Sequence, residues 1–447
     1  MDLFSRAGIH PPESKHTEHA ELKVLRKFPL IRIPLQQQIG PGTTAAVKKG
    51  DAVTVGQVIG EPIAPMSVPI HSSVSGSVER IVNEIQHSGR PMSVIEIKND
   101  FKDTICPDLA VPEVHDRESF CAAVRASGLV GLGGAGFPTH FKLNPPPDKK
   151  IDMLLVNGME CEPYITSDDL QMREYKEEIV EGIRLVLHHL GIPQAIIGVE
   201  HNTPVANARL RDYIKEQGLS GQIKLLSQRA RYPLGAEKML IYRLTGRIVP
   251  EGGLPHDVGC LVLNVGTCRM IHQYLTTGMP LVSKIITLDG EAVRRPGNYE
   301  VPIGAPIQTV VDLSGGFQKS AAKIIMGGPM MGVAVSDLND PILKNNNAIL
   351  LFSAEQAAIP EESACILCGR CTRSCPMGLV PTALDQAARK ENAEKLQDFY
   401  VMDCIECGCC TYVCPAKRFL VQNIRVGKQI LREARAREAE VAKREEA

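Results

Sequence analysis

Hydrophobic positions change their rhythm several times along the chain. Between about Pro29 and Lys98, short β-prone runs (Leu30–Pro34, Ala52–Ile59, Gly76–Val82 and Ser93–Ile97) alternate with Gly and Pro, which predicts a small β-domain. From about Asp116 the period lengthens. Arg117–Ser127, Lys176–Leu190 and Thr203–Gln217 read as helices, while the apolar runs Ile151–Asn157, Ala195–Glu200 and Cys260–Val265 read as buried strands. Strands alternating with helices predict an α/β domain with a largely parallel sheet. Leu281–Phe317 is strand-rich, is broken by Pro296-Gly297 and Gly315-Gly316, and suits a small β-grasp-like module; the turn-rich stretch Gly327–Gly332 follows it. After about residue 345 the chain reads as helical around a set of cysteines, and residues 421–447 read as a solvated Arg/Glu helix with i,i+4 ion pairs.

These signals predict a multidomain chain of mixed α/β and β modules: an extended polar arm over 1–30, a β-sandwich over 31–115, the α/β domain over 116–275 and the β-grasp-like module over 276–345. A cysteine-rich helical domain over 346–424 and a charged helix over 425–447 complete it. A length of 447 residues suits three or four domains. Hydrophobic content of 44% and charged content of 23% are those of an ordinary globular protein, and a formal net charge of −1 gives no electrostatic case for nucleic acid or a membrane surface. No apolar run approaches the ~20 residues of a membrane span, so any membrane association is expected to run through a partner. Trp is absent and aromatics make up 4%, which argues against stacking platforms for single strands.

Eight of the fourteen cysteines carry the strongest chemistry. Cys365, Cys368, Cys371 and Cys375 read C-x2-C-x2-C-x3-C-P, and so do Cys404, Cys407, Cys410 and Cys414. This is the two-cluster ferredoxin run, in which each motif gives three thiolates to one [4Fe–4S] cube and its fourth to the other. The expected ligand sets are Cys365, Cys368, Cys371 and Cys414 for one cluster, and Cys404, Cys407, Cys410 and Cys375 for the other. The alternative is a pair of zinc sites, which use paired C-x2-C units. Cys409 is expected to pack near a cluster, and Cys106, Cys121, Cys161, Cys260 and Cys268 read as small buried hydrophobes. The metal spacing, with no signal peptide ahead of it, places the chain in a reducing, cytoplasmic compartment.

The stretch GLGGAGFP puts Gly131, Gly133, Gly134 and Gly136 in one loop, where bare backbone can approach a phosphate. It departs from G-x-G-x-x-G after a strand, so a Rossmann dinucleotide site is not indicated, and on its own the loop reads equally as a tight turn. Its surroundings carry a resemblance. GLGGAGFPTHFKL (131–143), VNGMECEP (156–163), Tyr232-x-x-Gly235-Ala236-Glu237 and Leu263-Asn264-Val265-Gly266-Thr267 resemble, in order, the motifs of the NADH-oxidising flavoprotein subunit of respiratory complex I. Ala236 and Gly266 stand where that family has Glu, and Leu263 where it has Asn. The resemblance implies FMN and NAD(H). It implies that Gly131, Gly133, Gly134, Ala135, Gly136, Lys142, Asn157, Gly235, Asn264 and Thr267 hold FMN. Phe137, Glu160, Glu162 and Glu237 would face the nicotinamide nucleotide, with Glu160 and Glu162 in the catalytic place.

The N-terminal HPPE, the segments VKKGDAVTVGQVIGE and HSSVSGSVERI, ECEPYITSD, YPLGAEK, GGPMMG and the terminal YVCPAK together resemble the RnfC family, the NADH-side subunit of membrane-bound ferredoxin:NAD+ oxidoreductase complexes. The early segments resemble a lipoyl-type barrel-sandwich, but the tip Pro62–Ser67 lacks a carrier lysine, so a structural or docking role is expected there. The family implies an SLBB-type β-grasp module and electron exchange between NAD(H) and protein partners through FMN and two [4Fe–4S] clusters. It also implies a cytoplasmic, oxygen-sensitive chain held peripherally on the inner membrane's cytoplasmic face by other subunits, with ferredoxin an indirect partner. Two alternatives remain at this point: an RnfC-like NADH-dehydrogenase subunit feeding a soluble methylenetetrahydrofolate, proline or cobalamin reductase, and a flavin-free iron–sulfur carrier or scaffold.

Overall fold

A computed structural model of the chain describes residues 8–85, 89 and 91–445. It divides into two compact units. The larger holds Glu13–Arg229 and Pro255–Ala357; the smaller holds the residues up to Pro12, Ala230–Leu254 and the chain from Ala358 onward.

At the centre of the larger unit is a four-stranded parallel sheet in the spatial order Ile223–Gln228, Ala195–Glu200, Met153–Gly158, Cys260–Asn264. The chain builds it outward from Met153–Gly158 in one direction. After Gln228 it leaves the sheet, then returns on the other side of the first strand as Cys260–Asn264. The strands are runs such as Met-Leu-Leu-Val and Cys-Leu-Val-Leu, apolar and buried on both faces. Phe120 and Val124 of Arg117–Ala126, Ile183 and Val186 of Lys176–Leu190, Leu210 of Pro204–Glu216 and Cys268 and Ile271 of Val265–Thr277 share one core with Leu154, Val156, Ile197 and Leu263. The helices at 176–190 and 265–277 approach so closely that a Cβ on Gly182 would lie 1.9 Å from the Cys268 carbonyl oxygen.

The first module is two small antiparallel sheets facing each other. One runs Leu30–Pro34, Pro91–Asn99, Gly76–Ile85, Ala52–Val53; the other runs Thr43–Ala45, Val58–Pro62, Ile70–His71. Ile31, Ile33, Val53, Ile59, Val78, Ile95 and Ile97 fill the space between them. The tip after Pro62, where a lipoyl carrier would present lysine, is docked inside the unit instead. Arg125 donates to the carbonyls of Ser67 and Ala64, both at 3.0 Å, and His140 Nε2 meets the carbonyl of Pro65 at 2.9 Å. Buried Lys344 donates to Pro69 O at 2.9 Å and Gly128 O at 2.7 Å, tying the sandwich to the α/β body.

A mixed six-stranded sheet completes the larger unit, in the order Leu22–Val24, Gly297–Pro302, Ser283–Asp289, Ala348–Phe352, Lys323–Met326, Val333–Val335. Two of its strands depart from the sequence expectation. Leu22–Val24 lies in the stretch expected to be an extended arm, yet pairs in parallel with Asn298–Glu300. Ala348–Phe352 lies where helix is expected to begin, yet it is a fully buried strand between two neighbours.

The smaller unit is helical. A 26-residue helix, Leu420–Glu445, packs on Pro381–Arg389 and Ala393–Asp398 through Leu384, Ala388, Leu396, Val421, Ile424 and Leu431. The segment 230–254, expected to belong to the α/β domain, sits in this unit and carries the helix Glu237–Thr245. Ile9 and Tyr232 form a backbone bridge there, with N–H···O contacts of 2.8 and 3.0 Å. Among the described residues no helix is long and apolar enough to cross a membrane.

Candidate functional site

The strand order of the parallel sheet reverses between Met153–Gly158 and Cys260–Asn264. At such a switch point the loops leaving the two carboxyl ends diverge and open a crevice for a ligand. Asn264 ends its strand, Asn157 is the last residue but one of the other, and the two are register partners. Asn264 is the N-cap of the 13-residue helix Val265–Thr277, its Oδ1 accepting from Gly266 N at 2.8 Å. Its Nδ2 donates to Asp168 Oδ2 at 2.6 Å. Asn157 Oδ1 accepts from Met159 N at 3.0 Å.

The glycine loop lies against this end of the sheet. It is pinned at its base by Gly131 N to Phe137 O at 2.8 Å, and by Leu132 N to Thr267 Oγ1 at 3.3 Å. The carbonyls of Gly134 and Gly136 are turned to Asn345 Nδ2 and Ile39 N, and the tip Gly133–Ala135 is exposed. Gly133 leaves no room for a side chain unless the loop tip or Asn264 shifts, because a Cβ there would stand 2.5 Å from Asn264 Nδ2; at Gly134 a Cβ would meet nothing within 4 Å. Gly136 has φ +73°, a conformation glycine adopts without strain. Lys142 Nζ reaches Val262 O at 3.4 Å and lies 6.0 Å from the Phe137 ring centroid. A bare loop tip thus meets a helix N-terminus with its positive dipole end at the carboxyl end of the sheet, and Lys142 sits in the short helix that follows the loop. That donor set fits an anionic, phosphate-bearing ligand such as FMN.

Glu160 and Glu162, expected in the catalytic place, use all four of their carboxylate oxygens to hold backbone. Glu160 Oε1 accepts from Asp168 N at 2.8 Å and Ser167 Oγ at 3.2 Å, and Oε2 accepts from Asp169 N at 3.1 Å, so the buried carboxylate caps the helix Ser167–Glu174. Glu162 accepts from Met330 N at 3.0 Å and Met331 N at 2.9 Å, clasping the turn Gly327–Gly332; a Cβ on Gly328 would strike its Oε2.

Sequence reasoning missed the charges beneath these groups. Lys15 Nζ donates to the carbonyls of Glu160, Glu162 and Ile165 at 2.7, 3.0 and 2.5 Å. Lys284 is buried and donates to Leu132 O at 3.2 Å, at the root of the glycine loop; burial lowers its pKa to about 8, against the pull of Asp168. Burial raises the carboxyls of Glu160 and Asp168, with Lys15 and Lys284 opposing it. Glu200, at the end of its strand, is buried with one oxygen unpaired, and burial raises it to about 7. The only sequence signal for Lys15 was its place beside HPPE.

Gly235 and Glu237 lie in the smaller unit, Glu237 at the start of its helix. In that unit the two cysteine motifs make the same backbone turn. Leu367 and Glu406 occupy equivalent positions with φ +57° and +58°, and each donates its N–H to the first cysteine sulfur of its motif, at 3.4 Å to Cys365 and 3.3 Å to Cys404. Gly369 and Gly408 follow with φ +67° and +77°. Two separate cavities result. One is lined by Cys365, Cys368, Cys371 and Cys414, the other by Cys404, Cys407, Cys410 and Cys375. Among the described residues no three Cys, His, Asp or Glu side chains gather closely enough to hold a single metal ion. Four thiols spread around each cavity suit the four corners of a [4Fe–4S] cube. Cys409 is buried beside the second cavity. Tyr232 donates its hydroxyl to Cys407 O at 2.8 Å, and Lys428 Nζ donates to Cys404 O at 2.6 Å and Glu406 Oε1 at 2.7 Å.

Comparison with known proteins agrees with this geometry. Residues 4–102 match the RnfC barrel sandwich hybrid domain, 124–273 the Nuo51 FMN-binding domain, 285–334 the SLBB domain and 358–415 the 4Fe-4S dicluster domain. The chain is 42% identical to the C subunit of the Na(+)-translocating ferredoxin:NAD(+) oxidoreductase complex of Acetobacterium woodii, over 95% of this chain and 96% of that one. It is 40% identical to the C subunit of the proton-translocating ferredoxin:NAD(+) oxidoreductase complex of Clostridium ljungdahlii, over 97% and 95%. It is 37% identical to the C subunit of the ion-translocating oxidoreductase complex of Rhodobacter capsulatus, over 98% and 85%. A solved structure of an NAD+-reducing [NiFe]-hydrogenase shares the fold, with a TM-score of 0.52 at 20% identity over 71% of this chain and 62% of that chain. With such identity to several curated relatives over nearly its full length, and with the barrel-sandwich, flavin, SLBB and dicluster modules in sequence, the chain belongs to the RnfC family.

Proposed function

We propose that this chain is the NAD(H)-side electron-transfer subunit of an ion-translocating ferredoxin:NAD+ oxidoreductase complex, exchanging electrons between NAD(H) and partner subunits through FMN and two [4Fe–4S] clusters. One observation carries the reading: a glycine loop packed on a parallel-sheet switch point and two four-cysteine cavities occur in a single chain. Bound flavin supplies the conversion of a hydride into single electrons, which the clusters carry onward.

The chain's own residues supply the rest. Gly131, Gly133, Gly134, Ala135 and Gly136 let backbone approach the flavin, Lys142 offsets its negative charge, and Asn157, Asn264 and Thr267 fix the crevice floor. Phe137 covers the nicotinamide side. Glu160 and Glu162 act as positioning residues, since their carboxylates hold the helix 167–174 and the turn 327–332. Cys365, Cys368, Cys371 and Cys414 bind one cluster, and Cys404, Cys407, Cys410 and Cys375 the other. Oxygen-sensitive clusters would suit an anaerobic or microaerobic cytoplasm, where other subunits would hold the chain at the membrane's cytoplasmic face.

The test is the full chain purified without oxygen. It should contain flavin and about eight irons, and should reduce viologen with NADH. Both iron sites without flavin or NADH activity would sink the reading and leave an iron–sulfur carrier. Co-purification with a soluble reductase in place of integral membrane subunits would overturn the assignment of partner.

A further inference from the structure

The two cysteine sites share a backbone turn but not a setting. The residues after Cys404, Ile405 and Glu406, are half-buried, and Glu406 is held by Lys428 at 2.7 Å and Arg425 at 3.0 Å. Their counterparts after Cys365 stand in the open: Ile366 is 66% and Leu367 81% exposed. Cys409, buried, is matched in the first motif by Arg370, exposed. Apart from its cysteines, the second cavity is lined by apolar side chains and glycine, such as Met377, Leu379, Leu384, Val421 and Ile424.

Beside the first site the surface opens into a concavity of about 490 Å3, which Cys414 lines. Its charged side chains among the described residues are Arg370, Arg373 and Lys417, and no carboxylate of the described residues lines it. Nearby, Arg389 and Arg418 are neutralised by Asp385 and Glu362, at 2.6 to 3.0 Å. Arg370, Arg373 and Lys417 make no ion pair among the described residues. Three unpaired cations in a chain of net charge −1 are a local feature, and a concave basic surface raises the encounter rate of an acidic partner by roughly 10- to 1,000-fold.

We propose that this concavity, with Ile366 and Leu367 at its cluster edge, docks a redox protein through an acidic face. The Cys365, Cys368, Cys371, Cys414 site is then the one from which electrons leave the chain. The cations steer and the exposed apolar pair makes a small dry contact, as suits transient electron-transfer encounters below about 1,200 Å2. In each encounter one electron passes from this chain's reduced site to the partner's oxidised centre; no atom is transferred and no further oxidant is needed. The inference rests on the electron-transfer reading above.

The experiment uses the full chain with flavin and clusters, an acidic two-cluster ferredoxin as the redox probe, and stopped-flow detection. Arg373 is left intact because it donates to Cys368 O at 3.1 Å. Arg370→Glu/Lys417→Glu should lower the second-order rate with ferredoxin at least tenfold at low ionic strength, and the neutral Arg370→Gln/Lys417→Gln should fall between. Iron content and flavin bleaching by NADH should match the parent chain; their loss in the parent chain itself would count against the electron-transfer reading, not the docking face. The parent rate should fall as salt rises towards about 0.2 M, as screening shortens steering, and this measurement needs no variant. A flat salt series, or variants as fast as the parent, would overturn the proposal. So would variants that keep the ferredoxin rate but raise the KM for NADH, an outcome that would make the concavity a phosphate site.

Discussion

Substituting Gly133 with alanine tests the flavin crevice where its geometry is tightest. The new Cβ would lie 2.5 Å from Asn264 Nδ2 and 2.9 Å from its Cγ. Asn264 is not free to swing aside, because its amide donates to buried Asp168 at 2.6 Å and its oxygen caps the helix 265–277 at 2.8 Å. Losing a hydrogen bond to a charged group costs about 1.5–3 kcal/mol, and losing an N-cap about 0.5–2 kcal/mol. Alternatively the exposed loop tip moves, which the flavin-free protein tolerates. Bound flavin requires tip and cap together, so the cost returns as affinity: about 2 kcal/mol by the cheaper route, or roughly 30-fold in Kd. The assay is flavin fluorescence quenching on the deflavinated chain, with Gly134→Ala as control, since a Cβ there meets nothing within 4 Å. Iron content should be unchanged in both. If Gly133→Ala binds flavin as tightly as the parent, or Gly134→Ala loses as much affinity, Asn264 is not what demands glycine at 133.

Cys375→Ser should remove about half the iron, and the paramagnetic signal it loses should be the one lost in Cys404→Ser; matching Cys365→Ser instead would refute the crossed ligand sets. Lys344→Met should stabilise the flavin-free chain in a pH-dependent way. Burial lowers the folded pKa of Lys344 from 10.5 to about 7, so below about pH 7 the fold holds a buried ammonium whose cost is about 5 kcal/mol at most. Between pH 7 and 10.5 the unfolded chain binds the extra proton, parent stability rises with pH, and the advantage of Met shrinks, offset throughout by the lost bonds to Pro69 O and Gly128 O. Thermal midpoints from about pH 6 to 10 check this, and a constant difference across that range would refute it.

Elements with a complete local pattern were legible. Lys176–Leu190 carries a full amphipathic period and a glycine C-cap with φ +64°, and Ala195–Glu200 is an unbroken buried run. Leu22–Val24 was not, because three residues carry no period and its partner strand lies far along the chain, at Asn298–Glu300. Ala348–Phe352 is a five-residue apolar run, too short for periodicity to separate strand from helix. The same limit applied to the sites. Cysteine spacing encodes its cube because the ligands are local, and the glycine loop shows itself by composition. Lys15, Lys284 and Glu200 are lone charged residues in sequence, and burial among carbonyls and opposite charges is a property of distant chain. Glu160 and Glu162 stand out in the sequence only through the ECEP motif, while their use as backbone clamps depends on Asp168, Asp169, Met330 and Met331.

The repeated cysteine motif gives both sites the same turn and the same N–H···S contact, so any functional difference has to come from elsewhere in the chain. It comes from three places. The segment that leaves the parallel sheet after Gln228 brings Tyr232 to Cys407; the terminal helix brings Lys428 to Cys404 and Glu406; and position 409 exchanges the solvated Arg370 of the first motif for a buried thiol. Glu406 offsets one of its two cations, Lys428 and Arg425, so the second site keeps a single net positive charge while being enclosed by apolar side chains, against the three unpaired cations beside the first. Burial disfavours adding negative charge, which lowers the tendency of the enclosed site to hold an electron relative to the exposed one. The expected order is a reduction potential that rises from the Cys404 site to the Cys365 site at the basic concavity, which potentiometric titration of the two cluster signals checks; equal potentials would refute it. The unequal surroundings that the rest of the chain provides would then give a duplicated binding loop a direction.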